Sequence, residues 1–165
     1  MRHTTILVVS LFAAGSLAAQ RPPDDSLTVV VHGQATILRT PDLVSLPRAS
    51  ITLPAGDGST HQFTGIPLRA VLERAGLDTA QVHGPALADA VLVSARDGYQ
   101  VTFGLADLDS AITGRALLLA YAMDGTALDA RRGPWQLLVP GDLHGRRSVR
   151  QVSAIRIGRL AQLRH

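Results

Sequence analysis

The chain has 165 residues, of which 46% are hydrophobic, and its formal net charge is +3. It contains neither cysteine nor lysine, which excludes disulfides, thiolate metal ligands, cysteine nucleophiles and lysine Schiff bases. The positive charge is modest and is not interleaved with aromatic residues that would stack on bases, so we expect no nucleic acid partner.

The N-terminus has the pattern of a secretory signal peptide. A basic start, Met1-Arg2-His3, precedes an apolar run from Ile6 to Ala14 and small residues up to Ala19. The run is shorter than the roughly 20 apolar residues that span a bilayer. We therefore expect a signal peptide at 1–19 and a periplasmic or secreted protein that is not transmembrane after cleavage. An uncleaved anchor is the alternative interpretation of the same pattern.

The remainder is predicted to be one domain at 27–158, between a linker at 20–26 and a polar tail at 159–165. Apolar and β-branched patterns in its first part predict short strands joined by turns. A short helix is expected to start at Thr40, with Thr40 as N-cap and Pro41 in the first helical position. The predicted strands are Leu27–His32, Ala35–Leu38, Arg48–Leu53 and Thr60–Thr64.

The clearest helix prediction covers Pro67 to Ala75. Its apolar residues recur with helical spacing, at Leu68, Val71, Leu72 and Ala75. Gly76 is placed to end the helix. Ile66, in the N-cap position, has no side-chain acceptor, so burial of the stripe is expected to stabilise the helix more than capping does.

The second part of the domain is predicted to be rich in strands. Asp97-Gly98 between two apolar runs is typical of a hairpin that joins Val91–Ala95 to Tyr99–Phe103. A short helix is expected at Leu105–Ala111 and a buried strand at Ala116–Met123, where the composition would also allow a helix. The pattern as a whole favours one mixed α+β domain with more strand than helix.

The stretch from Gly133 to Ile157 contains the candidate site. Strands are predicted at Trp135–Val139 and Val149–Ile157, the second with Val149, Gln151, Ser153, Ile155 and Ile157 on one face. The loop between them is basic and rich in glycine. Arginine side chains beside glycine amides suit an anionic ligand, phosphate above all, although a solvated surface turn is also compatible with the pattern. The candidate binding residues are His144, Gly145, Arg146, Arg147, Ser148 and Arg150.

From about Ser45 to Ile157 the sequence resembles the molybdopterin-binding domain of the sulfite oxidase family. The resemblance depends on several motifs in order and not on any one of them. They are Phe63-Thr64-Gly65-Ile66-Pro67-Leu68, Ala95-Arg96-Asp97-Gly98-Tyr99, Leu117-Leu118-Leu119-Ala120-Tyr121, Gly133-Pro134-Trp135-Gln136-Leu137-Leu138-Val139-Pro140 and Arg147-Ser148-Val149-Arg150.

The resemblance implies an oxidoreductase fold that holds molybdenum on a pterin cofactor, molybdopterin. It also implies that a glycine-basic-serine-basic loop makes the last contact with the pterin phosphate. That pattern corresponds here to Gly145, Arg147, Ser148 and Arg150, with His144 and Arg146 among them. The interpretation from residue chemistry and the one from the resemblance therefore select the same loop.

The chain departs from this family in the residues that would bind the metal. The family holds molybdenum through one cysteine, whose region here, Leu53 to Gly58, contains none. Asp57 or Ser59 could replace it only as oxygen ligands. The family's N-terminal pterin contacts have no counterpart before Ser45, and the histidines show no HxH or HExxH spacing.

These departures lead to three hypotheses, and none of them assigns a catalytic residue. The first is a non-catalytic binding or accessory module for a small anionic ligand or a protein partner. The second is an active molybdopterin-dependent oxidoreductase with a non-thiolate ligand. The third is a structural subunit beside a periplasmic or membrane redox partner.

Overall fold

The computed structural model describes residues 25–142 and 145–159. Within these ranges the chain is strand-rich, with ten strands in two sheets and short helices between them. The strands are β1 (Leu27–Val31), β2 (Gln34–Leu38), β3 (Ala49–Pro54), β4 (Thr60–Pro67), β5 (Asp89–Ala95), β6 (Gln100–Gly104), β7 (Leu118–Met123), β8 (Thr126–Ala127), β9 (Gln136–Leu138) and β10 (Val152–Arg159). The α-helices are α1 (Thr40–Val44), α2 (Leu68–Arg74) and α3 (Ser110–Thr113), with 3₁₀ turns at Thr79–Gln81, Gly84–Ala88 and Leu105–Leu108.

The first sheet is mixed, and the second is antiparallel. The first has the order β2-β1-β10-β5-β6, in which β1 and β10 are parallel and the other neighbours antiparallel. The second has the order β3-β4-β7-β8, with β9 also paired to β7, and all its pairs are antiparallel. Tight turns account for the hairpins: His32 and Gly33 join β1 to β2 with φ angles of 47° and 86°, as a two-residue hairpin turn requires. This is the mixed, strand-rich α+β fold that the sequence predicts.

One large core cluster joins the two sheets. It contains Val93 and Ile155 from the first sheet, Ile66 and Leu119 from the second, and the apolar stripe of α2. Each such side chain stabilises the fold by roughly 1.5–3 kcal/mol when it is fully buried. The predicted stripe of α2 is confirmed, because Leu68, Val71, Leu72 and Ala75 are all buried.

The N-terminal ends of the first two predicted helices differ in the structure. Ile66 is not the N-cap of α2 but a fully buried residue of β4, and Pro67 occupies the cap position. Pairing with β7 extends β4 to Pro67, because the core covers this part of the strand. Arg39, not Thr40, precedes α1, and the Arg39 amide donates to Asp42 Oδ2 at 2.9 Å.

Two helix and strand boundaries in the second part also differ. The helix predicted at Leu105–Ala111 is divided at Asp109, whose side chain accepts from the Ala111 amide and starts α3. The predicted strand Ala116–Met123 is a strand but begins at Leu118. The hairpin around Asp97 is confirmed. The Asp97 carboxylate accepts a hydrogen bond from the Tyr99 amide at 2.9 Å.

The last strand starts later than predicted, at Val152, and its predicted alternation fails at that residue. Gln151 has a φ angle of +49°, and the pairing of β10 with β5 shifts after Val152. Val152 is therefore buried with Ile155 and Ile157, although the predicted alternation placed it on the opposite face. Arg159, assigned to the tail, is the final residue of β10.

Some expectations concern residues outside those described. They are the signal peptide at 1–19, linker residues 20–24, tail residues 160–165 and the candidate site residue His144. Within the described ranges, no helix combines the length and the apolarity needed to cross a membrane.

Gly65 provides a test of how closely β4 and β7 pack. A Cβ at this position would lie 2.6 Å from Ala120 Cα and 2.8 Å from the Leu119 carbonyl carbon. Because these are backbone atoms, Gly65→Ala should lower the free energy of unfolding by about 1–3 kcal/mol, measured by urea denaturation. Gly56→Ala is the control, since a Cβ at Gly56 meets nothing within 4 Å and its effect should stay within about 0.5 kcal/mol. Equal stability of the two variants would contradict this packing.

Candidate functional site

The basic loop, residues 140–150, leaves the second sheet after β9 and reaches the first sheet at β10. Leu137 and Val149 exchange two backbone hydrogen bonds, of 2.8 and 2.9 Å, which close the base of the loop. The Val152 amide then donates to the Trp135 carbonyl at 2.9 Å. Both ends of the loop are consequently fixed by the sheets, and its basic side chains extend from a rigid base.

Arg147 forms a bidentate ion pair within this loop. Its Nε donates to Asp142 Oδ2 at 2.8 Å, and its Nη2 donates to Asp142 Oδ1 at 2.5 Å. The guanidinium also lies over the Phe103 ring, with Cζ 5.7 Å from the ring centroid. The Asp142 side chain is 14% exposed and that of Arg147 40% exposed. Arg147 is thus held by the ion pair with Asp142 and by the Phe103 ring, while part of its side chain is exposed.

The charges around Asp142 favour its ionised form. The hydrogen bond from Arg147 lowers the pKa of Asp142 most, and the charges of Arg147 and Arg115 lower it further against the opposing effect of burial. In return, Asp142 raises the pKa of Arg147. Arg115, in the segment after α3, extends its guanidinium to Gly141. A Cβ added to Gly141 would lie only 2.9 Å from Arg115 Nη1. Two guanidinium groups therefore lie close to one carboxylate.

The hairpin between β5 and β6 also contacts the basic loop. The Tyr99 hydroxyl donates to the Arg146 carbonyl oxygen at 2.7 Å, and the Ser148 amide donates to the Gly145 carbonyl oxygen at 3.0 Å. The side chains of Arg146 and Arg150 are exposed and form no ion pair within the described residues. They are the outward positive charges of the loop.

The structure brings most of the candidate residues together, with a partner that the sequence analysis did not assign. Gly145, Arg146, Arg147, Ser148 and Arg150 share the loop, whereas His144 lies outside the described residues. Asp142 was missed, although its position five residues before Arg147 could have suggested a pair across a turn. Arg115, Tyr99 and Phe103 contact the loop from segments distant in sequence. No local sequence pattern could have predicted these contacts.

The two oxygen ligands considered for a metal, Asp57 and Ser59, are not part of this loop. They lie in the β3–β4 turn, near the Met123 end of β7, because Phe63 pairs with Met123. The basic loop follows β9, whose Leu138 pairs with Leu118 at the other end of β7. Five residue steps along a strand separate these ends by roughly 17 Å.

Asp57 and Ser59 are also bound to each other. Asp57 Oδ1 accepts from the Ser59 amide at 2.9 Å and from the Ser59 hydroxyl at 2.6 Å, and these bonds are the main cause of the lowered pKa of Asp57. Among the described residues, no group of three histidine, aspartate or glutamate side chains is arranged to hold a metal ion. The pair therefore behaves as a turn, with its carboxylate already engaged.

The pair of Asp142 and Arg147 should stabilise the protein in a pH-dependent way. Because the folded-state pKa of Asp142 is lowered, its contribution is complete above the unfolded-state value near 3.8 and is lost as the pH falls through the folded-state pKa. Asp142→Asn should thus lower the free energy of unfolding by about 1 kcal/mol at neutral pH, a modest value because Arg147 is partly exposed. The deficit should therefore shrink as the pH falls below that unfolded-state value and through the lowered folded-state pKa of Asp142.

Urea denaturation followed by Trp135 fluorescence measures this difference. Arg147→Ala and the double variant complete a thermodynamic cycle, in which we expect a coupling energy of about 1 kcal/mol at neutral pH. A deficit of Asp142→Asn that does not change between neutral and acidic pH would contradict the assignment.

Comparisons with known proteins agree with this architecture. A family model described as the oxidoreductase molybdopterin binding domain matches residues 26–162. A comparison with curated proteins gives no match. The matched range includes every described strand, both sheets and the basic loop. The chain therefore belongs to the oxidoreductase molybdopterin-binding domain family, the molybdopterin-binding domain of the sulfite oxidase family.

Proposed function

We propose that this chain is an exported, non-catalytic member of its family that binds small anions at the basic loop. The observation that carries the proposal is the bidentate pair of Arg147 with Asp142. By the family resemblance, Arg147 matches the basic residue that contacts the pterin phosphate. In this structure its guanidinium is bound instead to the carboxylate of Asp142. Export is supported by the signal-peptide pattern of residues 1–19.

The donor set does not fit molybdenum. The chain has no thiolate to supply the soft ligand that the resemblance implies. Asp57, the nearest oxygen substitute in sequence, is bound to Ser59 and lies at the far end of the second sheet from the basic loop. The proposal accordingly includes no redox step.

The loop retains the charge needed to bind an anion. Arg147 and Arg115 lie close enough to the loop carboxylate Asp142 to lower its pKa, Asp107 adds a second negative charge near Arg147, and the exposed Arg146 and Arg150 belong to the same loop. The bidentate geometry on Arg147 is the same one that an arginine offers to phosphate. Asp142 can therefore be understood as an internal substitute for an oxyanion, one that a ligand of higher charge would displace.

An active molybdopterin-dependent oxidoreductase is the alternative, and the family match favours it. Such an enzyme would need a metal ligand that the described residues do not supply as a cluster. The two functions differ in whether the purified protein holds molybdenum. They do not differ in the charge of the loop.

A calorimetric titration of the protein with inorganic pyrophosphate tests the proposal. We expect saturable binding that weakens as salt is added, because the contacts are largely electrostatic. Arg147→Ala should weaken binding by about 1.5–3 kcal/mol, the value of a charge-assisted hydrogen bond. Asp142→Asn should instead strengthen binding by about tenfold, since it removes the competing negative charge.

Arg74→Ala is the matched control, because Arg74 lies at the far end of α2 and its guanidinium faces Asp42 at 3.8 Å. Its affinity for pyrophosphate should equal that of the wild type. Absence of saturable binding, or an Asp142→Asn variant that binds more weakly than the wild type, would overturn the proposal.

A further inference from the structure

Three segments of the chain meet at the end of the first sheet where β10 begins. Gln151, just before β10, lies between two of them. Its carbonyl oxygen accepts from the Arg96 amide at 3.1 Å, and its amide donates to the Arg132 carbonyl oxygen at 2.8 Å. The Gln151 side chain also donates to the Ala130 carbonyl oxygen at 2.6 Å. Because segments paired in this way lie about 5 Å apart, the hairpin after β5 and the turn at 129–132 are within roughly 10 Å of each other.

The basic loop is the third segment at this end of the sheet. Its last residue, Arg150, precedes Gln151, and the Tyr99 hydroxyl of the hairpin donates to the Arg146 carbonyl oxygen at 2.7 Å. Four arginine side chains of these segments are exposed, and we name them the arginine face: Arg96, Arg131, Arg146 and Arg150. Within residues 25–142 and 145–159, none of the four forms an ion pair. Their charges are therefore available to a partner outside the chain.

Positive charge exceeds negative charge on the arginine face. The same segments contain two carboxylates, and backbone amides already bind both of them. Asp97 Oδ1 accepts from the Tyr99 amide at 2.9 Å, and Asp129 Oδ1 accepts from the amides of Arg131 and Arg132 at 3.0 Å. The Debye length at physiological ionic strength, about 8 Å, is comparable with the spacing of the segments, so their charges act on a partner together.

An exposed aromatic ring lies among these charges. Tyr99 is 47% exposed, although it is one of only a few large apolar side chains on the described surface. Tyrosine combines an apolar ring with a polar hydroxyl, which is why it is enriched where lipid headgroups meet hydrocarbon. Arginine binds phosphate in bidentate geometry. Carboxylates of an acidic protein would complement the arginines, but the exposed ring favours a surface that offers phosphate and an apolar layer together.

We infer that the arginine face binds the surface of a bilayer that contains anionic phospholipid. The guanidinium groups contact lipid phosphates, and the ring of Tyr99 lies at the level of the headgroups. Arg146 and Arg150 also belong to the basic loop, whereas Arg96 and Arg131 do not. The inference therefore extends beyond the proposed binding of small anions and does not rest on it.

Sedimentation of the purified protein with lipid vesicles tests the inference. The protein should sediment with vesicles of phosphatidylglycerol and phosphatidylcholine in equal parts, and not with vesicles of phosphatidylcholine alone. Binding should weaken as salt is added, because the Debye length falls to about 3 Å at 1 M salt. Equal sedimentation with both kinds of vesicle would overturn the inference. Binding of polyglutamate but not of vesicles would also overturn it, and would assign the face to an acidic protein.

Arg96→Ala and Arg131→Ala should each weaken vesicle binding about fivefold, the expected effect of one arginine near an anionic membrane surface. Both side chains are exposed and form no ion pair within the described residues, so the variants should fold. Their calorimetric affinity for pyrophosphate should stay close to that of the wild type, which separates this face from the proposed anion site. Arg74→Ala is the matched control, since it removes the same charge from α2, where Arg74 faces Asp42 at 3.8 Å. Equal loss of vesicle binding in Arg74→Ala and Arg96→Ala would contradict the assignment to this face.

Discussion

The passage of the chain from the second sheet to the first is the constraint on which the rest of the structure depends. Leu137 of β9 exchanges backbone hydrogen bonds with Val149, and the Trp135 carbonyl, just before β9, accepts from the amide of Val152, the first residue of β10. These few hydrogen bonds therefore connect the end of the second sheet to the start of β10 and close the base of the basic loop. The loop can vary in chemistry without disturbing the fold, because its ends are held by backbone and not by side chains.

Local patterns were enough to predict most of the fold, since hairpins and amphipathic elements leave periodic signals. The strand β3 lies where a strand was predicted, and the buried residues of α2 follow the predicted helical spacing. The predicted alternation of β10 fails at Val152, because the positive φ angle at Gln151 and the register shift after Val152 bring this residue to the core with Ile155 and Ile157. Ile66 was misplaced for a related reason, because pairing with β7 overrides the apparent start of the helix.

The candidate site was predictable in position and only partly in chemistry. The basic residues of the loop are adjacent in sequence, so their clustering needed no knowledge of the fold. The ion pair of Arg147 with Asp142 depends on how the loop turns, and the contacts from Arg115 and Tyr99 depend on segments distant in sequence. The pairing changes the interpretation of the loop, since the arginine that best matches a phosphate contact is already bound to a carboxylate.

We propose that this family member retains the fold and a charged loop but does not hold molybdenum. The most direct test is to purify the protein from a host that makes the molybdenum cofactor, and to measure molybdenum by mass spectrometry and pterin by fluorescence. We expect both to be far below one equivalent per chain. Molybdenum and pterin at one equivalent each would contradict it, and would show that the missing thiolate is replaced by another ligand.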